Sequence, residues 1–330
     1  MTLLLGDADI GAVLGWRPAV EALRAAYGSA CDSAADHGAR YPGRLIARGD
    51  GTWVRVLPGV PDGGLMGAKI IAAAPRAGRV SYLIALFDQQ TAELVALLDG
   101  NTVTGYRTAA TSALAADLLA VPGPLTVGVL GSGFEAGKHL RAIAAMRDIT
   151  AARVYSPRAA SRERFACDLA DLPVPVEPAG SAEAAVAGAA LVICAARSHD
   201  ESPVLLGRWL APGMTVVSIG STAPEQREVD AETIKRAEVI VADVVDEVLR
   251  DTGDLIAARA AGAEVAGRVT SLADLVSGAC RGRAHDGQVV LYKSVGSAVQ
   301  DLAVAAMCVR AALDGGIGTR APVPVEVVLK

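Results

Sequence analysis

Along the first hundred residues, apolar and polar positions come in short alternating runs. Trp16–Ala35 is alanine-rich and predicts a helix, and Trp53–Leu57 alternates as a strand. Leu65–Ala74 and Val80–Phe87 are apolar runs bounded by Gly, Pro and Asp, the pattern of buried strands. Leu94–Leu98 predicts a strand entering the turn Asp99-Gly100-Asn101, and Thr104–Leu119 a helix closed by Pro122-Gly123-Pro124. Beyond that Pro-Gly-Pro the rhythm becomes strand, then helix. Strands are expected at Leu125–Leu130, Arg153–Ser156, Leu191–Ala196, Thr215–Ile219 and Val239–Ala242. Such alternation argues for a parallel sheet covered on both faces. From Asp286 the pattern loosens, and Ser297–Leu313 predicts a last helix ending at Gly315-Gly316.

Composition sharpens this α/β reading. A chain of 330 residues is long enough for about two domains. Apolar residues make up 52% but aromatic ones only 4%, so the core has to be aliphatic. A net charge of −5 without a basic stripe argues against nucleic acid, and no basic amphipathic run suggests a membrane surface. The uncharged stretch Leu118–Phe134 is interrupted by Pro122 and Pro124, which excludes a continuous membrane helix. Met1–Trp16 has no basic signal-peptide region, and the five cysteines are scattered, so a reduced, cytoplasmic protein is expected. Four histidines without H-x-x-x-H spacing give no zinc pattern.

The chemistry begins where Leu125–Leu130 runs into Gly131-Ser132-Gly133-Phe134-Glu135-Ala136. This is G-x-G-x-x-A between a predicted strand and a predicted helix. Gly131 allows the tight turn and Gly133 the approach of backbone to a pyrophosphate. Ala136 keeps the helix close to the strand, so that its N-terminal N–H groups face the phosphates. The next strand ends without the carboxylate that would accept from a ribose 2′-hydroxyl. Ser156, Arg158 and Arg162 stand there instead, a hydroxyl and two guanidinium groups suited to a 2′-phosphate. NADPH is therefore the expected cofactor, with NADH the alternative.

Three basic residues stand out on the N-terminal side. Lys69 is embedded in the apolar run Gly64–Ala74, where desolvation would lower its pKa and let it exchange protons near neutrality. Arg107 lies near the start of the helix Thr104–Leu119, and Arg44 in the loop Tyr41–Arg44. Both are candidates for holding an anion, although each basic residue taken singly also has a structural reading.

Together these strings resemble the ornithine cyclodeaminase/mu-crystallin family along nearly the whole chain. The resemblance is carried by Gly67-Ala-Lys69, Leu86-Phe-Asp88, the run Thr104–Ala113 (TGYRTAATSA) and Gly131-Ser132-Gly133. It continues through Pro203-Val-Leu, Pro212-Gly213, Gly220–Glu228 (GSTAPEQRE), Thr252-Gly-Asp254 and Tyr292–Asp301 (YKSVGSAVQD). It implies homodimers with two domains. Residues 1–121 and 300–330 would form an α/β dimerisation and substrate domain. Residues 122–299 would form a Rossmann-type, doubly wound parallel sheet domain. Arg44 and Arg107 would then hold a substrate carboxylate, Lys69 would donate the proton, and Ser81 and Thr222 would be further substrate-binding residues, Ser81 lining the same pocket. Ser294, Val295 and Gly296 would approach the nicotinamide, Ser221 would be a further cofactor-binding residue, and Asp301 would lie near the domain junction.

The resemblance also divides by activity. Cyclodeaminases and the archaeal alanine dehydrogenases carry an aspartate two residues before the loop proline; here that position is Thr222, before Pro224. Cyclodeaminases add a lysine two residues after the proline, where this chain has Gln226. Threonine is no general base near neutrality. The loop resembles instead the ketimine reductase branch, which implies hydride addition to the C=N bond of a 2-imino acid such as Δ1-pyrroline-2-carboxylate. Alternatives are dehydrogenation of an N-linked amino-acid adduct of the diaminopropionate-pathway type, an amino acid dehydrogenase or cyclodeaminase, and non-catalytic, NADPH-dependent ligand binding.

Remaining features receive structural expectations. Arg227 and Glu228 are read as an ion pair at a helix start, and the charges of Val244–Asp254 as a solvated helix face. Cys194 is expected to be buried and His139 to be packing or surface. His199, in a charged loop at the carboxyl edge of a strand, is read equally as a ribose contact or as solvated.

Overall fold

The computed structural model of the chain describes residues 1–29, 40–196 and 202–328. His199 and the end of the helix expected to reach Ala35 lie outside the described residues. Chain contacts divide the protein into two units, 1–108 with 297–330, and 109–296. The division falls at Thr108/Ala109, ahead of Pro122-Gly123-Pro124.

The first unit contains a seven-stranded sheet in the order β15-β1-β6-β5-β4-β3-β2. Its strands are β1 (Thr2–Leu5), β2 (Leu45–Gly49), β3 (Thr52–Gly59), β4 (Leu65–Ala74), β5 (Arg79–Asp88), β6 (Leu94–Asp99) and β15 (Thr319–Ala321). From β2 to β6 the chain is an antiparallel meander, while β1 joins β6 in parallel. Strand alternation puts successive side chains on opposite faces. On β4, Lys69, Ile71 and Ala73 are buried, as are Ile84 and Leu86 on β5. That face meets helix α11 (Ala298–Gly315), which also packs on α2 (Trp16–Ser29). Gly59 makes room for α11, since a Cβ there would lie 2.8 Å from Leu302. The opposite face carries an apolar row across four strands, Leu45–Val56–Ile70–Leu83, with Leu45 64% and Leu83 40% exposed. Helix α1 (Asp7–Val13) precedes α2, and helix α3 (Gly100–Leu119) starts four residues before the expected Thr104. The Asp99 side chain explains the earlier start, because it accepts from Thr102 N at 2.9 Å as a cap does.

The second unit is built on an eight-stranded, wholly parallel sheet, order β13-β12-β14-β11-β10-β7-β8-β9. Its strands are β7 (Leu125–Leu130), β8 (Ile149–Tyr155), β9 (Val176–Pro178), β10 (Leu191–Cys194) and β11 (Thr215–Ser218). They continue with β12 (Val239–Ala242), β13 (Val269–Ser271) and β14 (Val290–Lys293). Between them run α4 (Phe134–Met146), α5 (Ala159–Asp168), α6 (Ala182–Val186), α7 (Ala231–Arg236), α8 (Val245–Asp251), α9 (Gly253–Ala260) and α10 (Leu272–Ser277). From β7 the chain proceeds outward through β8 and β9, then returns to β10 on the other side of β7. The β7/β10 junction is thus the topological switch point where doubly wound sheets bind ligands. The core is aliphatic, with Val192, Val216, Val229, Ile234, Ile240 and Leu291 fully or almost fully buried.

Two expectations need correction. The loosened pattern after Asp286 hides strand β14, which lies between β11 and β12 and is buried at every position. Its lysine disguised it as a loop. Strand β8 begins at Ile149 rather than Arg153, because it pairs with β7 from Leu125 onward.

Candidate active site

In the first unit, the sheet and α11 enclose a charged cluster. Lys69 on β4 is 1% exposed, and its Nζ lies 2.6 Å from the carboxylate of Asp301 on α11, itself fully buried. Arg107 on α3 brings its Nε to 2.8 Å from the same carboxylate. The Arg107 guanidinium also donates to Gln300 Oε1, and Gln300 Nε2 donates to Tyr27 Oη at 2.9 Å. Thus α11 delivers one carboxylate to two cations, Lys69 fixed by the sheet and Arg107 on α3, while Thr104 Oγ1 of α3 lies 3.5 Å from Lys69 Nζ. Burial, chiefly, lowers the Lys69 pKa to about 7; Asp301 opposes the shift, while the charges of Arg107 and Arg44 add to it. A lysine so placed can hold or release a proton near neutrality. With two arginines and one carboxylate around it, the cluster carries a positive excess when Lys69 is protonated, which suits an anionic ligand.

The cluster unites Lys69, Arg107 and the field of Arg44. Ser81 is not brought to it. On β5, Ser81 pairs with Ala72, whereas Lys69 pairs with Ile84. Ser81 and Ile84 are three positions apart, an odd offset, so Ser81 faces the exposed side of the sheet. There it lines a cavity with Arg48, Val54 and Arg79.

The second unit holds the glycine loop in its expected setting. Gly131 has φ +112°, and a Cβ there would lie 2.5 Å from Ala195 O, so both backbone angle and space require glycine. Gly133 is the extended N-cap of α4 and makes no side-chain cap; a Cβ on it would meet open space. Phe134 is 58% exposed under Lys138 Nζ, 4.6 Å away, Glu135 sits in the first turn of α4, and Ala136 is buried. This uncapped 13-residue helix, opening at the switch point, fits a pyrophosphate. Ser132 Oγ donates to Ser156 Oγ at 2.8 Å. Arg162 donates to Ser156 O at 2.6 Å and lies over the Tyr155 ring, while Arg158 is the N-cap of α5 and exposed. Ser156, Arg158 and Arg162 therefore share the carboxyl end of β8.

The segment Ser294-Val295-Gly296 is clamped by Asp243, which the sequence reading passed over. Its carboxylate accepts from Ser294 Oγ at 2.7 Å, Val295 N at 3.0 Å and Gly296 N at 2.7 Å. The loop after β11 is closed on Gln226. Thr222 N donates to Gln226 Oε1 at 2.9 Å, and Ser221 Oγ to Gln226 O at 2.6 Å. Glu228 is fully buried, and its carboxylate accepts from Ser218, Gly220 and Ala196 rather than forming the helix-start pair expected with Arg227. Nor are all charges of Val244–Asp254 solvated. Asp254 is fully buried and lies 2.8 Å from Lys293 Nζ. Lys293 sits in an apolar run (VVLYK) just as Lys69 does, and that signal could have found it. Cys194 is buried, and burial pushes its thiol pKa well up. His139 is buried between Glu135 O and Ser112 Oγ.

Three comparisons bear on this arrangement. Ketimine reductase mu-crystallin of Mus musculus is 32% identical over 222 residues, 67% of this chain and 66% of the mouse protein. A Δ1-pyrroline-2-carboxylate reductase of Bacillus cereus is 28% identical over 80% of this chain and 83% of its own length. The structure of Thermococcus litoralis Δ1-pyrroline-2-carboxylate reductase, solved with NADH and L-proline, superposes with a TM-score of 0.88 at 27% identity. That match covers 97% of this chain and all of the other. Residues 47–316 match the profile of one family throughout, and the chain belongs to the ornithine cyclodeaminase/mu-crystallin family.

Proposed function

We propose that this protein is an NAD(P)H-dependent oxidoreductase that reduces the C=N bond of a cyclic 2-imino acid of the ketimine or Δ1-pyrroline-2-carboxylate type. The observation that carries the reading is Lys69, buried against Asp301 beside Arg107 and brought to about 7 by burial. Bound NAD(P)H supplies the hydride. Lys69 holds a proton for the imine nitrogen, and Asp301 keeps that proton available by opposing desolvation. Arg107 and Arg44 hold the substrate carboxylate and fix the orientation of the reacting carbon. Thr222, tied to Gln226, offers no carboxylate to deprotonate an amine or activate water. That favours reduction of a preformed imine over cyclodeamination or amino acid dehydrogenation.

Gly131, Gly133 and the start of α4 are the dinucleotide site in this reading, with Ser294–Gly296 at the nicotinamide. Ser156, Arg158 and Arg162 favour NADPH over NADH. Among the described residues no helix is long and apolar enough to cross a membrane, and a cytoplasmic location suits the scattered thiols. The exposed row Leu45–Val56–Ile70–Leu83 is the surface on which we place the second copy of a homodimer.

The test is NAD(P)H oxidation with a panel of cyclic 2-imino acids, in the wild type and in Lys69→Met. Substrate-dependent oxidation that drops at least about 100-fold in the variant is expected. No oxidation with any imino acid would overturn the assignment, and ligand affinity without turnover would replace it by the binding-protein reading.

A further inference from the structure

At the carboxyl edge of the parallel sheet, four buried polar side chains form a chain that the imine chemistry does not use. Lys293 Nζ on β14 lies 2.8 Å from Asp254 Oδ2 on α9 and donates to Ser218 Oγ on β11 at 2.9 Å. Ser218 donates to Glu228 Oε2 at 2.7 Å. Glu228 accepts twice more from backbone. Gly220 N, just past β11, is 2.8 Å from Oε2, and Ala196 N, just past β10, is 2.9 Å from Oε1. Asp254 in turn accepts from Glu228 N at 2.7 Å and Val229 N at 3.1 Å, holding the segment that carries the glutamate. Lys293, Ser218, Glu228 and Asp254 are all fully buried.

The anchored backbone occupies a particular place. Ala195 and Ala196 follow β10 at the switch point, and they are what Gly131 packs against. A Cβ on Gly131 would lie 2.5 Å from Ala195 O and 3.1 Å from Ala196 N. On the other side, a Cβ on Gly220 would run into Glu228 Oε1 and sit 2.7 Å from Ala196 O. The chain of contact is therefore Glu228 to Ala196 to Gly131, from a buried carboxylate to the first glycine of the dinucleotide loop.

We propose that Glu228 is a positioning residue for the dinucleotide, its carboxylate fixing the backbone of Ala196, against which Gly131 is set, and that of Gly220. This rests on the dinucleotide reading above. The three groups on the carboxylate, Ser218 Oγ, Gly220 N and Ala196 N, are all donors, so the ionised form is the one that satisfies them; protonation turns one acceptor oxygen into a donor and breaks that pattern. The charged or titratable groups facing Glu228 are Lys293 from β14, Asp254 from α9 and Cys194 from β10. Burial, opposed by Lys293 and assisted by Asp254, raises the Glu228 pKa to about 7. The clamp is thus complete above neutrality and opens as the pH falls.

The experiment measures the dissociation constant of NADH by fluorescence for the wild type, Glu228→Gln and Glu228→Asp, between roughly pH 5.5 and 8.5, with thermal unfolding as a check on folding. NADH is used because it lacks a 2′-phosphate that would itself titrate in this range. Wild-type affinity is expected to weaken as the pH falls through about 7. Glu228→Gln should bind roughly tenfold more weakly at high pH and lose that pH dependence. Glu228→Asp, which keeps the charge, should retain a pH dependence. A pH-independent wild-type constant overturns the inference even if neither variant folds, as does Glu228→Gln binding like the wild type; the dinucleotide reading then stands. A wild type that binds neither NADH nor NADPH overturns both.

Discussion

Replacing Asp301 with asparagine keeps the shape of the side chain but removes the negative charge that Lys69 meets at 2.6 Å and Arg107 at 2.8 Å. An opposite charge this close is worth about 6 kcal/mol at an effective dielectric constant of ~20. The asparagine oxygen still accepts one hydrogen bond, and the site relaxes, so roughly a third of that, about 2 kcal/mol, should reach the Lys69 equilibrium. At about 1.4 kcal/mol per pH unit, the Lys69 titration should move at least about one pH unit lower. The sign follows from the role of the lysine. Reduction needs the protonated amine, so activity is full below the Lys69 value and falls as pH rises through about 7 in the wild type. In Asp301→Asn the same limb should appear at lower pH, leaving little activity at neutrality and recovering part of it in acid. The assay is kcat/KM for imine reduction against pH at saturating NAD(P)H, with the same imine for both proteins so that its own titration cancels. An alkaline limb at unchanged pH, with only its height reduced, would refute the claim that Asp301 sets the Lys69 proton affinity. Stability has its own sign. The folded Lys69 value lies below the ordinary lysine value of 10.5, so its contribution to stability is present above 10.5 and is lost as pH falls from there through about 7.

Two further predictions concern the cofactor and the assembly. Arg158→Ala with Arg162→Ala should raise the KM for NADPH about tenfold while leaving that for NADH within about twofold. Equal effects on both cofactors would remove the 2′-phosphate from the argument. Leu83→Glu, in the exposed apolar row, should halve the mass seen by sedimentation velocity if that face joins two copies. A dimer of unchanged mass would place the interface elsewhere.

How much of this was readable in the chain depends on the range of the interactions. Strands β4, β5, β6 and β7 and the glycine-rich turn before α4 were legible because each is written in consecutive residues. Apolar runs stop at Gly, Pro or Asp, and G-x-G-x-x-A needs only a strand before it and a helix after it. Lys69 was legible for the same local reason, a charge inside an apolar run, and its burial agrees. Strand β14 was not, because four residues ending in a lysine carry no period, and only its neighbours β11 and β12 make it a central strand. Ser81 was misplaced by likeness alone. Its side of the sheet follows from β4–β5 register, which depends on pairing partners rather than on composition.

By itself, then, the sequence determined a two-part α/β chain, a glycine-rich turn between a strand and a helix, and a lysine inside an apolar run. The tertiary structure decided which charges meet. Lys69 and Asp301 are 232 residues apart, and Glu228 reaches Ala196, Gly220 and Ser218 only because the parallel strands deliver those loops to one edge. The physical reason is electrostatic. A buried charge is tolerable only with its partners in place, and those partners are chosen by strand order and helix packing, neither of which is written in the neighbouring residues.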